Sequence, residues 1–204
     1  MANAALFLDR DGTILQGASG NNNDTENEGL GYLTELEQVE LIEGADEAIS
    51  SARKLGYKII VITNQSAIAR GWLSEDKLHS INQKMFDLLS LQYPSATVDD
   101  LFYCPYHIDG VIEKYRKNSP MRKPDTGMVI EAQKKYNIDL AASYFIGDSF
   151  ADMKCGDNAG TKKILVLTGY GQIAYQKCLD ENLKIDFIAE DLLDAVNFIE
   201  KSGK

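Results

Sequence analysis

Short, unbroken apolar runs alternate along this chain with stretches whose apolar residues recur every three or four positions. The runs are 4–8, 58–63, 101–104, 144–146, 163–167 and a brief 186–188. Unbroken apolarity, rather than strict alternation, marks strands buried on both faces of a parallel sheet. Ala45, Ala48, Ile49, Ala52 and Leu55 form one helical stripe, stopped by Gly56. Leu78, Ile81, Met85, Leu88 and Leu89 form a second, and Leu192, Ala195, Val196 and Ile199 a third. Strand–helix alternation predicts right-handed crossovers, and with them an α/β fold: a Rossmann-like, three-layer arrangement with a mainly parallel sheet. No repeat or linker divides the chain, so residues 1–204 are expected to form a single domain.

Two segments break the pattern. Residues 16–31 are rich in Gly, Asn, Asp and Glu and have no apolar period, so 16–30 reads as a flexible insertion. It either covers whatever site lies nearby or is a surface elaboration. Residues 105–120 form a second loop, bounded by prolines and carrying Lys114, Arg116 and Lys117.

The composition narrows the choice of function. A net charge of −10 argues against the basic stripe that a nucleic-acid interface requires. The first residues lack a basic leader, and no run is long enough to span a bilayer. Cys104, Cys155 and Cys178 are odd in number and widely spaced, which fits a reducing compartment. A soluble, cytoplasmic, monomeric protein is expected, with no nucleic-acid or membrane partner.

Four chemical signals fall at the carboxyl ends of successive predicted strands, where open α/β sheets bind ligands. Asp9-x-Asp11 places two acids one residue apart. They repel each other unless a cation lies between them or one is protonated. Thr63-Asn64-Gln65-Ser66 offers hydroxyl and amide donors for an anion. Arg122-Lys123-Pro124 brings two cations to the start of a helix marked by Pro124-Asp125. Asp148-x-x-x-Asp152 adds two more acids. Each is common alone; the four in this order on matching strand ends are specific. Carboxylate oxygens suit Mg²⁺, which bridges to phosphate, while Lys123 and the neutral donors suit a transferring phosphoryl group. Asp9 then reads as a nucleophile that forms an aspartyl-phosphate. Asp11 reads as the acid that protonates the leaving alkoxide and the base that deprotonates the attacking water.

With these residues in view, the chain resembles the haloacid dehalogenase superfamily of phosphatases. Within it, the chain is similar to the heptose bisphosphate phosphatases and the related histidinol-phosphate phosphatases. The strings that carry the resemblance are FLDRDGT from Phe7, VITNQSAIARG from Val61, YCP from Tyr103, RKPDTGM from Arg122 and AASYFIGDSFADM from Ala141. The resemblance implies a haloacid dehalogenase-type fold and a small phosphorylated sugar as substrate. It makes Asp9, Asp11, Thr63 and Lys123 catalytic, with Asp11 also giving a backbone carbonyl to the metal. Asn64, Gln65, Ser66 and Arg122 become substrate-binding. Asp9, Asp11 and Asp148 become the Mg²⁺ site, and Asp152 supports Lys123 or the metal shell. Neither the loop after Asp11 nor the one before Arg122 is long enough for a large cap domain, so specificity is expected to be set by the 16–30 and 105–121 loops.

The resemblance implies removal of the 7-phosphate of a heptose 1,7-bisphosphate. The alternatives are histidinol phosphate or another small monoester, or a phospholigand-binding protein that has lost catalysis.

Two departures from the family stand out. Many members bind zinc in the loop before R-K-P through Cys-x-His and a later Cys-x-Cys. Here Cys104 is kept, but Tyr106, Ser119 and Met121 stand at the other positions and His107 is one place late. A tetrahedral zinc site needs four such ligands, so zinc is expected to be absent and Cys104 to be a buried apolar residue. The other departure is Ser149, where heptose enzymes usually carry a lysine; Lys114, Arg116 and Lys117 are candidates to compensate. His79 is expected to be structural or exposed, and Trp72 to be either a pocket wall or a half-buried packing residue.

Overall fold

The structure, a computed structural model, describes residues 3–19 and 30–203. In chain order it contains β1 (Ala5–Leu8), β2 (Ala18–Ser19), β3 (Leu30–Gly31), α1 (Ala45–Lys54), β4 (Lys58–Asn64), α2 (Glu75–Gln92), β5 (Asp100–Cys104), α3 (Gly127–Tyr136), β6 (Tyr144–Gly147), α4 (Phe150–Ala159), β7 (Lys162–Val166), α5 (Gly171–Asp180), β8 (Phe187–Ala189) and α6 (Leu192–Ser202). Every apolar run of the sequence has become a strand. The six long strands pair in the order β5-β4-β1-β6-β7-β8, and each pairing is parallel.

Two-sided burial explains the unbroken runs. In β1, Ala5, Leu6, Phe7 and Leu8 are all essentially inaccessible. Leu6 and Leu8 face a core shared with α1, α2 and α6, while Ala5 and Phe7 face a second core with Met128, Val129 and Ala132 of α3. Phe7 stacks on Phe145 of β6, 6.2 Å between ring centroids. Truncating such a phenyl ring typically costs about 3–5 kcal/mol.

The chain leaves β1, builds β4 and β5 on one side, then crosses back to build β6, β7 and β8 on the other. The strand order therefore reverses at β1, and a crevice opens beyond its carboxyl end.

The structure adds detail where the sequence pattern was weak. The 16–30 segment was expected to have no regular structure, yet its two ends pair as the antiparallel strands β2 and β3. Its expected flexibility falls on residues 20–29, outside the described residues. The helix expected after Pro124-Asp125 is α3, which begins at Gly127. The described residues contain no helix long and apolar enough to cross a membrane.

Candidate active site

Asp9 leaves β1 directly into the crevice, and its amide donates to the Ile146 carbonyl of the neighbouring strand at 3.0 Å. Asp148 follows β6, and Asp152 lies in the first turn of α4. Oxygens of these three carboxylates all lie within 4.8 Å of one another, and all three residues are buried. Lys123 enters the same space from the loop before α3. Its Nζ lies 2.8 Å from Asp9 Oδ1, 2.5 Å from Asp152 Oδ1 and 2.8 Å from the Ile62 carbonyl.

Three buried carboxylates around one ammonium leave a local excess of negative charge. Burial, reinforced by Asp152, pushes the Asp9 carboxyl up to about 7 although Lys123 pulls it down. Burial, with Asp9 and Asp152 beside it, also holds Asp148 well above the usual carboxylate range. Burial alone would favour a neutral Lys123 amine, but Asp152 and Asp9 outweigh it and keep the ammonium. A site so arranged favours an additional cation.

The shape of the backbone serves Asp148. Its Oδ2 accepts from the Tyr170 amide at 2.8 Å. A Cβ on Gly12 or on Gly169 would come within 2.0 Å of that oxygen, and both glycines have positive φ. Only glycine fits there. Thr168 Oγ donates to the Gly12 carbonyl and ties the two loops together.

Asp152 has two tasks. One oxygen completes a capping box at α4, accepting from the Ser149 amide at 3.0 Å and the Ser149 hydroxyl at 2.5 Å; the other faces Lys123. Ser149, where heptose enzymes usually carry a lysine, also caps the helix that carries Asp152. Lys114, Arg116 and Lys117 do not line the cavity. Lys114 bonds to the Tyr115 hydroxyl, and Lys117 lies 4.0 Å from the centre of the Tyr106 ring.

Asp11 requires another correction. The sequence suggested a cation between Asp9 and Asp11, but the Asp11 carboxylate lies outside the trio. It is held by the Arg10 guanidinium, Nε at 3.0 Å from Oδ1 and Nη2 at 2.8 Å from Oδ2. Asp11 still raises the Asp9 pKa, but less than Asp152 does, and the three clustered carboxylates are Asp9, Asp148 and Asp152.

The Thr63-Asn64-Gln65-Ser66 segment ends β4 within the same site. Asn64 accepts from the Lys123 amide at 3.0 Å and donates to its carbonyl at 3.1 Å, which fixes the lysine loop. Gln65 Nε2 donates to Thr63 Oγ and to Asp11 Oδ2, each at 2.9 Å. The Thr63 hydroxyl proton is left for another acceptor. A cavity of about 190 Å³ is lined by these four residues with Asp9, Asp11, Arg122, Lys123 and Asp148, and also by Tyr32 and Tyr170. All the sequence-derived site residues except Asp152 line it, and Asp152 sits behind Lys123.

Arg10, Tyr32, Asn82 and the Tyr170 amide escaped sequence reasoning. Tyr32 bonds to Ser66 Oγ at 3.1 Å and packs edge-on against Trp72, 5.2 Å between centroids. Trp72 thus backs a wall residue and is itself half exposed. His79 is exposed, its ring edge-on to Tyr103 at 5.8 Å. Cys104 is buried beneath the 105–121 loop with its thiol directed at the Tyr106 carbonyl.

Comparison with known proteins agrees with this architecture. A family model described as HAD-hydrolase-like matches residues 120–195. The D-glycero-beta-D-manno-heptose-1,7-bisphosphate 7-phosphatase of Salmonella typhi is 37% identical, over 98% of this chain and 97% of that protein. The D-glycero-D-manno-heptose-1,7-bisphosphate 7-phosphatase of Chlorobaculum tepidum is also 37% identical, over 94% and 91%. Among solved structures, the D,D-heptose 1,7-bisphosphate phosphatase of B. bronchiseptica, complexed with magnesium and phosphate, superposes with a TM-score of 0.79. It is 26% identical and covers 97% of this chain and 99% of its own.

The fold and the comparisons define a phosphoric monoester hydrolase of the haloacid dehalogenase-like class. Within that class, the chain belongs to the heptose 1,7-bisphosphate 7-phosphatase family.

Proposed function

We propose that the enzyme removes the 7-phosphate of D-glycero-D-manno-heptose 1,7-bisphosphate through a phosphoryl group carried on Asp9. One observation carries the mechanism: three buried carboxylates converge with a single lysine at the point where the strand order reverses. The substrate rests on likeness to relatives that span nearly the whole chain.

Asp9 attacks phosphorus as the bond to the ester oxygen breaks, and the Asp11 carboxyl gives its proton to that oxygen. Water then attacks the aspartyl-phosphate, its proton passes to Asp11, and the bond from phosphorus to the Asp9 oxygen breaks. Lys123 and the Thr63 hydroxyl neutralise charge on the phosphoryl oxygens in both steps. Arg122, half-buried on the cavity wall, binds the part of the substrate beyond the reacting phosphate.

The trio fits Mg²⁺, since its donors are hard oxygens held close together in an over-acidic pocket. Asp9 and Asp148 would hold the ion, with Asp152 adjacent and the Asp11 carbonyl on the same loop. When bound, the ion supplies positive charge against the transferring phosphoryl group. Magnesium is proposed as the only metal. In the loop where the resemblance would put a zinc site, aromatic packing of Tyr106 on Tyr115, 6.1 Å between centroids, supports the chain.

A substrate panel with released phosphate as readout tests this proposal. In Mg²⁺, kcat/KM on heptose bisphosphate should exceed that on histidinol phosphate; the reverse order would reassign the substrate.

A further inference from the structure

The Asp9-x-Asp11 pair separates into two unlike environments, and the residue between them makes the difference. Arg10 is fully buried on the side of β1 that faces α2. Its guanidinium grips both oxygens of Asp11, and its remaining arm, Nη1, donates to Asn82 Oδ1 at 2.8 Å. Asn82 is itself buried on the inner face of α2. Among the described residues, Asp11 is the only carboxylate within ion-pair distance of Arg10.

We infer that Arg10 is a positioning residue. With Gln65, it fixes the Asp11 carboxylate in the orientation from which a proton is exchanged with the ester oxygen, and Asn82 anchors Arg10 to α2. The inference rests on the proposed acid/base role of Asp11.

Stability alone is a poor reason for this arrangement. The pair gains little over apolar packing of the same volume, because Arg10 loses its hydration while Asp11 keeps part of its own. Geometry is a better one. A two-point guanidinium–carboxylate contact fixes the plane of the carboxylate as well as its distance, which a single hydrogen bond does not. A carboxylate has about four acceptor sites. Arg10 fills one on each oxygen, and Gln65 fills a second on Oδ2. The open site is on Oδ1, and Asp11 still lines the cavity with its side chain 33% exposed. The contacts thus leave one acceptor site for the proton that moves.

Leaving-group dependence separates a positioning role from a merely structural one. An alkyl ester needs its departing oxygen protonated, whereas p-nitrophenyl phosphate releases a stable anion without help. For both substrates kcat/KM reports the steps up to alcohol release, so the later role of Asp11 with water does not enter. In Arg10→Met, kcat/KM on heptose bisphosphate should fall about 100-fold, and on p-nitrophenyl phosphate by less than about threefold. Arg10→Lys keeps the charge but loses the fork, and Asn82→Leu leaves Arg10 unanchored; both should show the same split at smaller amplitude. These milder variants decide the matter if Arg10→Met does not fold. Equal losses on the two esters, or an undiminished rate on the alkyl ester, would overturn the inference. A wild-type enzyme that hydrolyses neither ester would instead refute the proposed phosphatase activity, a separate outcome.

Discussion

The two ends of the sheet handle their acids in opposite ways. At the amino end, Asp99 accepts from Arg53 Nη1 at 2.7 Å, Lys58 Nζ at 2.8 Å and the Ile59 amide at 2.9 Å. Burial alone would raise its pKa, but Lys58, the Ile59 amide and Arg53 hold it below the usual carboxylate range. At the carboxyl end, three carboxylates share one lysine, and Asp9 and Asp148 are pushed upward. The first cluster is over-supplied with cations and serves the fold. The second is under-supplied, which is a standing electrostatic penalty unless a metal cation completes it. Charge balance, alongside the deeper burial of the carboxyl-end trio, therefore separates a structural acid from a candidate catalytic one.

The comparison breaks most readily at Asp9. Asp9→Asn should lower turnover by at least about 10⁴-fold, since removing a nucleophile removes the covalent route. The fold should survive, because the amide keeps the shape and relieves the crowding of anions. Phosphate release together with circular dichroism checks both halves. A variant that retains substantial turnover rules out the aspartyl-phosphate.

The opposite outcome is expected at the amino end. Asp99→Ala strands two cations and the Ile59 amide, and should destabilise the protein by about 2 kcal/mol. Its kcat/KM should match the wild type, because these contacts lie at the far end of the sheet from the cavity. Urea unfolding beside steady-state kinetics tests the contrast. A fall in kcat/KM at unchanged stability would show that the two ends are not independent.

Much of the fold and of the carboxyl-end site was legible in the sequence, for identifiable reasons, whereas the Asp99 cluster was not. The strands announced themselves because burial on both faces leaves no polar position to interrupt an apolar run, as in β1 and β4. Asp9, Asp148 and the Thr63–Ser66 segment stood at strand ends, where topology alone brings them together; Lys123, expected there too, comes instead from the loop before α3, and Asp152 from the first turn of α4. Helices α4 and α5 were not singled out. Helix α5 exposes Ile173 and Leu179, so its apolar residues do not trace a clean stripe, and α4 carries Gly156 and polar residues among its core positions. The partnership of Arg10 with Asn82 spans 72 positions, and no local pattern points to it. Between two aspartates, Arg10 reads as ordinary charge alternation; only burial shows that it turns away from solvent. Tyr32 was hidden for another reason: it follows the 16–30 insertion, so its distance along the chain conceals its place beside Ser66.

The smallest expected effect, and the most direct test of charge balance, is the pH dependence of stability. Asp99 has a depressed folded-state pKa, so its contribution is present above its ordinary value near 4 and is lost as pH falls through the folded value. Asp9 behaves in the reverse sense. With its folded pKa raised to about 7, the folded state binds the extra proton between its ordinary value of 3.8 and that pH. Stability of the metal-free enzyme should therefore decline as pH rises through this window and level off above it. Asp148, raised well above 3.8, adds to the decline. Saturating Mg²⁺ should remove most of the decline, because a ligand that binds only the folded state stabilises it in proportion to its affinity, and affinity grows as the carboxylates ionise. Asp148→Asn, which keeps an oxygen to accept from the Tyr170 amide, should flatten the metal-free slope and abolish the Mg²⁺ response. Melting temperatures at several pH values, with chelator and with Mg²⁺, supply the test. The difference between wild type and variant cancels the two histidines, which titrate in the same range. A variant as responsive to Mg²⁺ as the wild type would show that the under-neutralised trio is not where the cation acts.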